Sequence, residues 1–147
     1  MVSSGETFTF DVAPEIEGVT EVEGGTYALM SVTNGYMEDF QIAAKVITTV
    51  LDVRDEYGFI DAGVQCLGGP LGVKPSVEGH PDIEFIRMDA SESCLRSKGP
   101  FPFDPGDKIF LLSAQQDILV NRWDSFVAIN EGEVEAVWDI PARGCHH

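Results

Sequence analysis

The chain has 147 residues, with 25 Asp and Glu against 9 Lys and Arg, so its formal charge is 9 − 25 = −16; 44% of residues are hydrophobic. That length and apolar content fit one globular domain with a true core and exclude disorder, collagen, a coiled coil and a disulfide mini-protein. The charge excludes nucleic acid and anionic membranes as direct partners, since both are polyanions.

Residues 1–44 hold eight acids and no Lys or Arg. Residues 1–19 read as an acidic opening segment and 20–147 as a single β-barrel-like domain. Pro14, Gly18, Gly24 and Gly25 interrupt the early chain as loop or edge structure. Thr26–Val32 has strand composition. Val46–Val53 is the clearest strand, dense in β-branched residues, and Tyr57–Gly63 reads as its hairpin partner across Arg54-Asp55-Glu56. A Gly/Pro-rich loop spans 68–81. Ile83–Met88 is a short strand, 97–107 a second Pro-rich loop, and Pro105-Gly106-Asp107 a turn before the strand Lys108–Leu112. A short helix is expected around Ala114–Asn121. Ser125–Ile129 and Glu133–Ile140 are the last two strands, joined by Asn130-Glu131-Gly132 as a tight turn. In the latter strand, acids alternate imperfectly with Val134, Ala136, Val137 and Trp138, as in a strand with one wet face. The fold class is therefore mostly β, an antiparallel barrel or sandwich with at most one or two short helices.

No stretch reaches the ~20 apolar residues of a membrane span, and no basic, then apolar, leader follows Met1, so the expected location is cytoplasmic. Cys66, Cys94 and Cys145 are odd in number and match no zinc spacing, which makes free thiols the expectation. His146 and His147 receive no metal role.

Templates for phosphate loops, dinucleotide binding, HExxH metallopeptidases and GxSxG hydrolases are missing. His80, between Gly79 and Pro81, is the one internal histidine. It reads as a loop residue; a catalytic role requires an orienting partner. The acid pairs Asp55-Glu56 and Glu38-Asp39 read as solvated surface. Asp117 stands among apolar Leu111-Leu112 and Ile118-Leu119-Val120, beside Gln115 and Gln116. Such a carboxylate is paired, hydrogen-bonded or metal-bound, and a local helix cap is the simpler of these. Gln115, Asp117 and Asp124 offer oxygen donors for a hard cation as an alternative.

Four segments in order carry a family resemblance. They are Thr20-Glu21-Val22-Glu23-Gly24-Gly25-Thr26-Tyr27; Ala43–Val50 followed by Phe59-Ile60-Asp61-Ala62-Gly63; Pro105-Gly106-Asp107-Lys108 with Ile109–Leu112; and Val137-Trp138-Asp139-Ile140-Pro141-Ala142-Arg143-Gly144. Over about residues 20–144 the chain resembles the C-terminal β domain of the D-threonine aldolase and D-serine dehydratase family, pyridoxal-phosphate enzymes related to alanine racemase.

The resemblance implies an alanine racemase-like β-barrel. It also implies that cofactor lysine and phosphate contacts belong to an α/β barrel not contained in these 147 residues. The family's metal ligands come from a P-x-H-x-C or P-x-H-x-D segment after the G-D strand. Here it reads Ser113-Ala114-Gln115-Gln116-Asp117, so Asp117 and Gln115 stand at the two ligand positions and the histidine is replaced. The D-A-G-x-K lysine is also replaced, by Gln65, and no histidine stands in the Ala90–Cys94 segment.

No catalytic or cofactor-binding residue is therefore assigned. Pyridoxal phosphate and a divalent metal are expected only if a barrel domain completes the site. The expected role is an accessory, dimerisation or interaction domain. A split lyase acting on D-amino or 3-hydroxy amino acids is the alternative, and a small-molecule or metal-binding domain the third. Expected partners are a second copy, as a homo-oligomer, or a cofactor-barrel chain.

Overall fold

The computed structural model describes residues 1–69 and 72–145. Pro70 and Leu71 of the 68–81 loop, and His146 and His147, lie outside the described residues.

The chain forms an antiparallel, nearly closed barrel of six strands with two short helices and a separate hairpin. The strands are β1 (Lys45–Arg54), β2 (Tyr57–Ile60), β3 (Ser76–Val77), β4 (Glu84–Met88), β5 (Ser93–Arg96) and β6 (Lys108–Leu112). Their order across the sheet is β3-β6-β1-β2-β5-β4, and the edge strands β3 and β4 approach each other. Helix α1 (Val64–Leu67) follows β2 and α2 (Gln116–Val120) follows β6. Among the described residues, β7 (Ser125–Asn130) and β8 (Glu133–Asp139) pair only with each other.

Period-two alternation places the core. Along β1, Val46, Thr48 and Val50 are buried while Lys45, Ile47 and Leu51 face out. Ile60, Phe85, Leu95, Ile109 and Leu111 join them from the neighbouring strands, with Leu67 and Leu119 from the helices and Phe101 from the loop after β5. Gly58 of β2 lies under Phe101: a Cβ there would stand 2.2 Å from the ring. The Asn130-Glu131-Gly132 turn forms as expected, with Glu131 at φ 51° and Gly132 at φ 85°, the left-handed pair a tight hairpin requires.

The sequence reading needs four corrections. Thr26–Val32 is not a strand. Thr26–Ala28 and Val32–Asn34 are single 3-10 turns; Leu29 and Met30 amides bond back to Thr26 O, and Met30 at φ 55° breaks any extended run. Both edges of β1 are already taken by β2 and β6, so the segment finds no central ladder to join. β3 forms within the expected 68–81 loop, and α1 and β5 form where no element was read. Finally, β8 does not have one wet face and one dry one, because Val134, Val137 and Trp138 are as exposed as its acids.

Candidate functional site

The ligand corner inferred from the resemblance lies where β6 ends and α2 begins. Strand β6 is set by its pairing with β1, from Lys45↔Leu112 to Thr49↔Lys108. The chain then turns through Ser113, whose hydroxyl accepts the Gln115 amide (3.1 Å) and donates to Gln115 O (2.8 Å). Gln115 is the N-cap of α2, in extended conformation. Gln116 is buried, and its Nε2 donates to Asp117 Oδ1 at 3.0 Å.

Asp117 is exposed in the first turn of α2. It does not cap the helix, which corrects the expected local cap; Gln115 holds that place, without a side-chain cap bond. A carboxylate in the first turn is favoured by the unpaired amides there, which with the Gln116 contact explains an acid among apolar neighbours without any ligand. Asp124, beyond the far end of α2, is ion-paired with Arg143.

A strap from the N-terminal part closes over this corner. Val32 N donates to Ser113 O (2.9 Å), and Thr33 Oγ1 donates to Ala114 O (2.5 Å). The strap is anchored by Met30, fully buried at positive φ, and by Ala43 N donating to Leu29 O (2.8 Å). Sequence reasoning missed the strap because Thr33 and Ala114 lie 81 positions apart.

The donor set here is one carboxylate already held by an amide, plus amide oxygen. That does not fit a zinc or manganese ion, which favours imidazole, thiolate or several carboxylates. Among the described residues no group of three or more His, Cys, Asp or Glu could hold a metal.

The other candidates resolve in physical terms. His80 packs its ring edge-on against Phe103, centroids 4.7 Å apart, and no hydrogen bond joins its imidazole to a described carboxylate. Cys66, Cys94 and Cys145 are free thiols. Burial pushes the Cys66 thiol above its ordinary value, and its Sγ donates to Gly63 O at 3.3 Å; an activated nucleophile needs the opposite shift.

Asp61, of the D-A-G segment, accepts Thr48 Oγ1 (2.6 Å) and Thr49 N (2.8 Å). Partial burial raises its pKa, but these bonds and nearby Lys108 outweigh that and hold it below the usual carboxylate value. It ties the end of β2 to β1 rather than facing a cavity. An open groove of about 630 Å³ between Asp55, Asp82, Glu84, Arg96 and Lys98 is crossed by the pairs Lys98–Asp82 and Arg96–Glu84. Both of its cations are taken by these pairs, which leaves Asp55 and Glu56 as excess acids, and it lacks the apolar lining of a preformed small-molecule site. No helix among the described residues is long and apolar enough to cross a membrane.

No protein-family model matches the chain. It is 25% identical over 154 residues to a 3-hydroxy-D-aspartate aldolase of Paracoccus denitrificans, covering 97% of this chain and 39% of that protein. It is 28% identical over 142 residues to a D-threonine aldolase of an Arthrobacter species, covering 92% and 37%. In structure it is similar to the D-threonine aldolase of Filomicrobium marinum, with TM-score 0.92 and 24% identity over 100% of this chain and 42% of that one. An alanine racemase-like protein of Idiomarina loihiensis superposes with TM-score 0.80 at 14% identity, over 95% and 43%. The resemblance read from the four motifs holds: the homologues are D-threonine and 3-hydroxy-D-aspartate aldolases, and the shared fold is their C-terminal-like β domain. The chain spans about two-fifths of the length of the relatives it matches.

Proposed function

We propose that this chain is a β domain of the D-threonine aldolase type that performs no cofactor chemistry itself and acts as an accessory, interaction module. Its cofactor-bearing counterpart is an α/β barrel, on the same polypeptide or on another chain. The observation that carries this reading is the ligand corner. Gln115 and Asp117 stand where the resemblance places metal ligands, yet Asp117 is engaged by Gln116 and the corner is covered by the Val32–Thr33 strap. The barrel-like frame around the corner persists while its donor chemistry does not.

A second reading is favoured by the relatives' names, both of which are aldolases of D-amino acids bearing a 3-hydroxyl group. In that reading the domain is one part of a pyridoxal-phosphate-dependent lyase acting on such substrates. Pyridoxal phosphate supplies the electron sink for that chemistry, and the barrel supplies the group that holds it.

The 147-residue chain is purified, mixed with pyridoxal phosphate and dialysed, then assayed for cleavage of D-threonine and 3-hydroxy-D-aspartate and titrated calorimetrically with Mn²⁺, Zn²⁺ and Ca²⁺. The expected result is a colourless, inactive protein that gives no binding heat. A yellow preparation retaining the cofactor, or saturable heat from any of the three cations, overturns the accessory reading. An adjacent coding sequence for a barrel chain that lacks this β domain favours the split lyase.

A further inference from the structure

We propose that the N-terminal segment, residues 1–43, is an ionic-strength-gated cover: it docks over the β6–α2 corner where salt screens its charge and leaves the folded barrel where salt does not. The two parts of the chain are charged alike but held differently. Residues 1–43 carry eight acids and no Lys or Arg, a charge of −8; the rest carries 25 − 8 = 17 acids and all 9 bases, or 9 − 17 = −8. Within the barrel, pairs such as Lys45–Glu78, Arg96–Glu84 and Lys98–Asp82 answer part of that charge. Among the described residues no ion pair reaches the N-terminal segment, and all eight of its acids are exposed.

What docks the segment is neutral. Val32 N donates to Ser113 O and Thr33 Oγ1 to Ala114 O, Leu29 packs on the barrel core, and Met30 is fully buried. Two things oppose docking: the like charge of the two parts, and the left-handed backbone of Met30 at φ 55°. The segment is also closed on itself. Ser4 N donates to Glu21 O (3.0 Å), Thr20 N to Val2 O (2.9 Å) and Tyr27 N to Thr7 Oγ1 (3.1 Å). It can therefore part from the barrel at the strap without unravelling.

Salt decides between the two arrangements. At about 0.01 M the screening length is ~30 Å, the width of a small domain, so each part feels the whole charge of the other. At about 1 M it is ~3 Å, and the neutral contacts govern. Release uncovers the Ser113 and Ala114 carbonyls, and with them the corner that holds Gln115 and Asp117. Ionic strength thus controls access to the corner. This concerns the cover and not the corner's donor chemistry, so its failure leaves the accessory reading standing, and the reverse.

The test is amide hydrogen exchange on the 147-residue chain at one pH, in KCl from about 0.01 to 1 M. The Val32 amide, whose partner Ser113 O lies on the barrel, is expected to exchange at least about tenfold faster at the low end, while the β1–β2 and β1–β6 ladder amides keep their protection. The variant Glu15→Gln, Glu17→Gln, Glu38→Gln, Asp39→Asn takes the segment from −8 to −4. Halving one of two interacting charges halves the energy, so the tenfold change should shrink to about threefold. The ladder amides report in the same spectra that each protein is folded, and the wild-type series decides by itself if the variant is not. A Val32 amide indifferent to salt overturns the proposal. So does loss of strap and ladder protection together, which is global unfolding. A variant with undiminished salt dependence also overturns it, by showing that the ions act on apolar burial and not on charge.

Discussion

Replacing Gly58 with Ala tests whether the barrel is packed as described. Gly58 sits in β2 between Val53 of β1 and Leu95 of β5. An added Cβ would lie 2.2, 2.3 and 2.7 Å from three carbons of the Phe101 ring, where carbon atoms ordinarily rest about 3.5–4.0 Å apart. The ring must retreat by more than about 1 Å, and it is not free to do so. Phe101 is buried, stacks edge-on against Phe103 at 5.9 Å, and is fixed by its amide donating to Asp55 O at 2.9 Å. Overpacking of this kind costs about 1–3 kcal/mol, against about 0.4–1 kcal/mol gained by restricting the unfolded chain. A net loss of about 1–2 kcal/mol is expected, or about 2–8 °C in Tm, read by urea unfolding followed in the far ultraviolet. Phe101→Leu destabilises on its own by leaving a void, yet in the Gly58→Ala background it makes room. The double-mutant cycle should therefore show a favourable coupling of at least about 1 kcal/mol. Neutral behaviour of Gly58→Ala, or additivity of the two changes, would refute the packing argument.

Two further predictions concern the strap and the β1–β2 junction. Met30→Gly relieves about 1–2 kcal/mol of left-handed backbone strain at φ 55° but removes a fully buried side chain worth about 2–5 kcal/mol. The variant should be less stable by about 1–3 kcal/mol in thermal unfolding, and equal or greater stability would show that the strap does not pack as described. Asp61 is held below its ordinary carboxylate value in the folded state, so its contribution is present above the unfolded pKa and fades as pH falls through the folded one. Asp61→Asn should flatten the stability–pH curve below about pH 5, modestly because the carboxylate is exposed; an unchanged acid limb would count against the Thr48 and Thr49 bonds.

What the sequence disclosed follows from how local each determinant is. The β1–β2 hairpin and the Asn130-Glu131-Gly132 turn are written in neighbouring residues, through β-branching and through positions that tolerate positive φ. β5 was illegible because Ser93-Cys94-Leu95-Arg96 has little intrinsic strand character; it is extended because β2 and β4 flank it on both sides. Thr26–Val32 failed in the opposite sense, with strand composition but no ladder to enter. At the site, Gln115 and Asp117 could be placed only through the resemblance. Their surroundings depend on the Val32–Ser113 and Thr33–Ala114 contacts, which join distant parts of the chain and leave no periodic signal. The exposure of the hairpin was likewise hidden, since Val127, Ile129, Val134 and Val137 look like core residues when read alone.

The hairpin's stability sharpens the contrast between its two faces. An isolated two-stranded ribbon is marginal in water, so this one must be held from its base and its inner face. Ile140 N donates to Asp124 O (2.8 Å), Gly144 N to Asn121 Oδ1 (2.8 Å), and Trp123 Nε1 to Cys66 O (3.0 Å), while Phe126 reaches the core. These anchors act at the root and on the inward side. They account for the hairpin's attachment to the barrel and give no reason for valines and isoleucine on the outward side, where threonine would serve strand propensity equally well. Outward aliphatics are thus not required by the hairpin's own attachment to the barrel, and they add to the exposed apolar side chains found elsewhere, such as Ile16, Ile47 and Trp138.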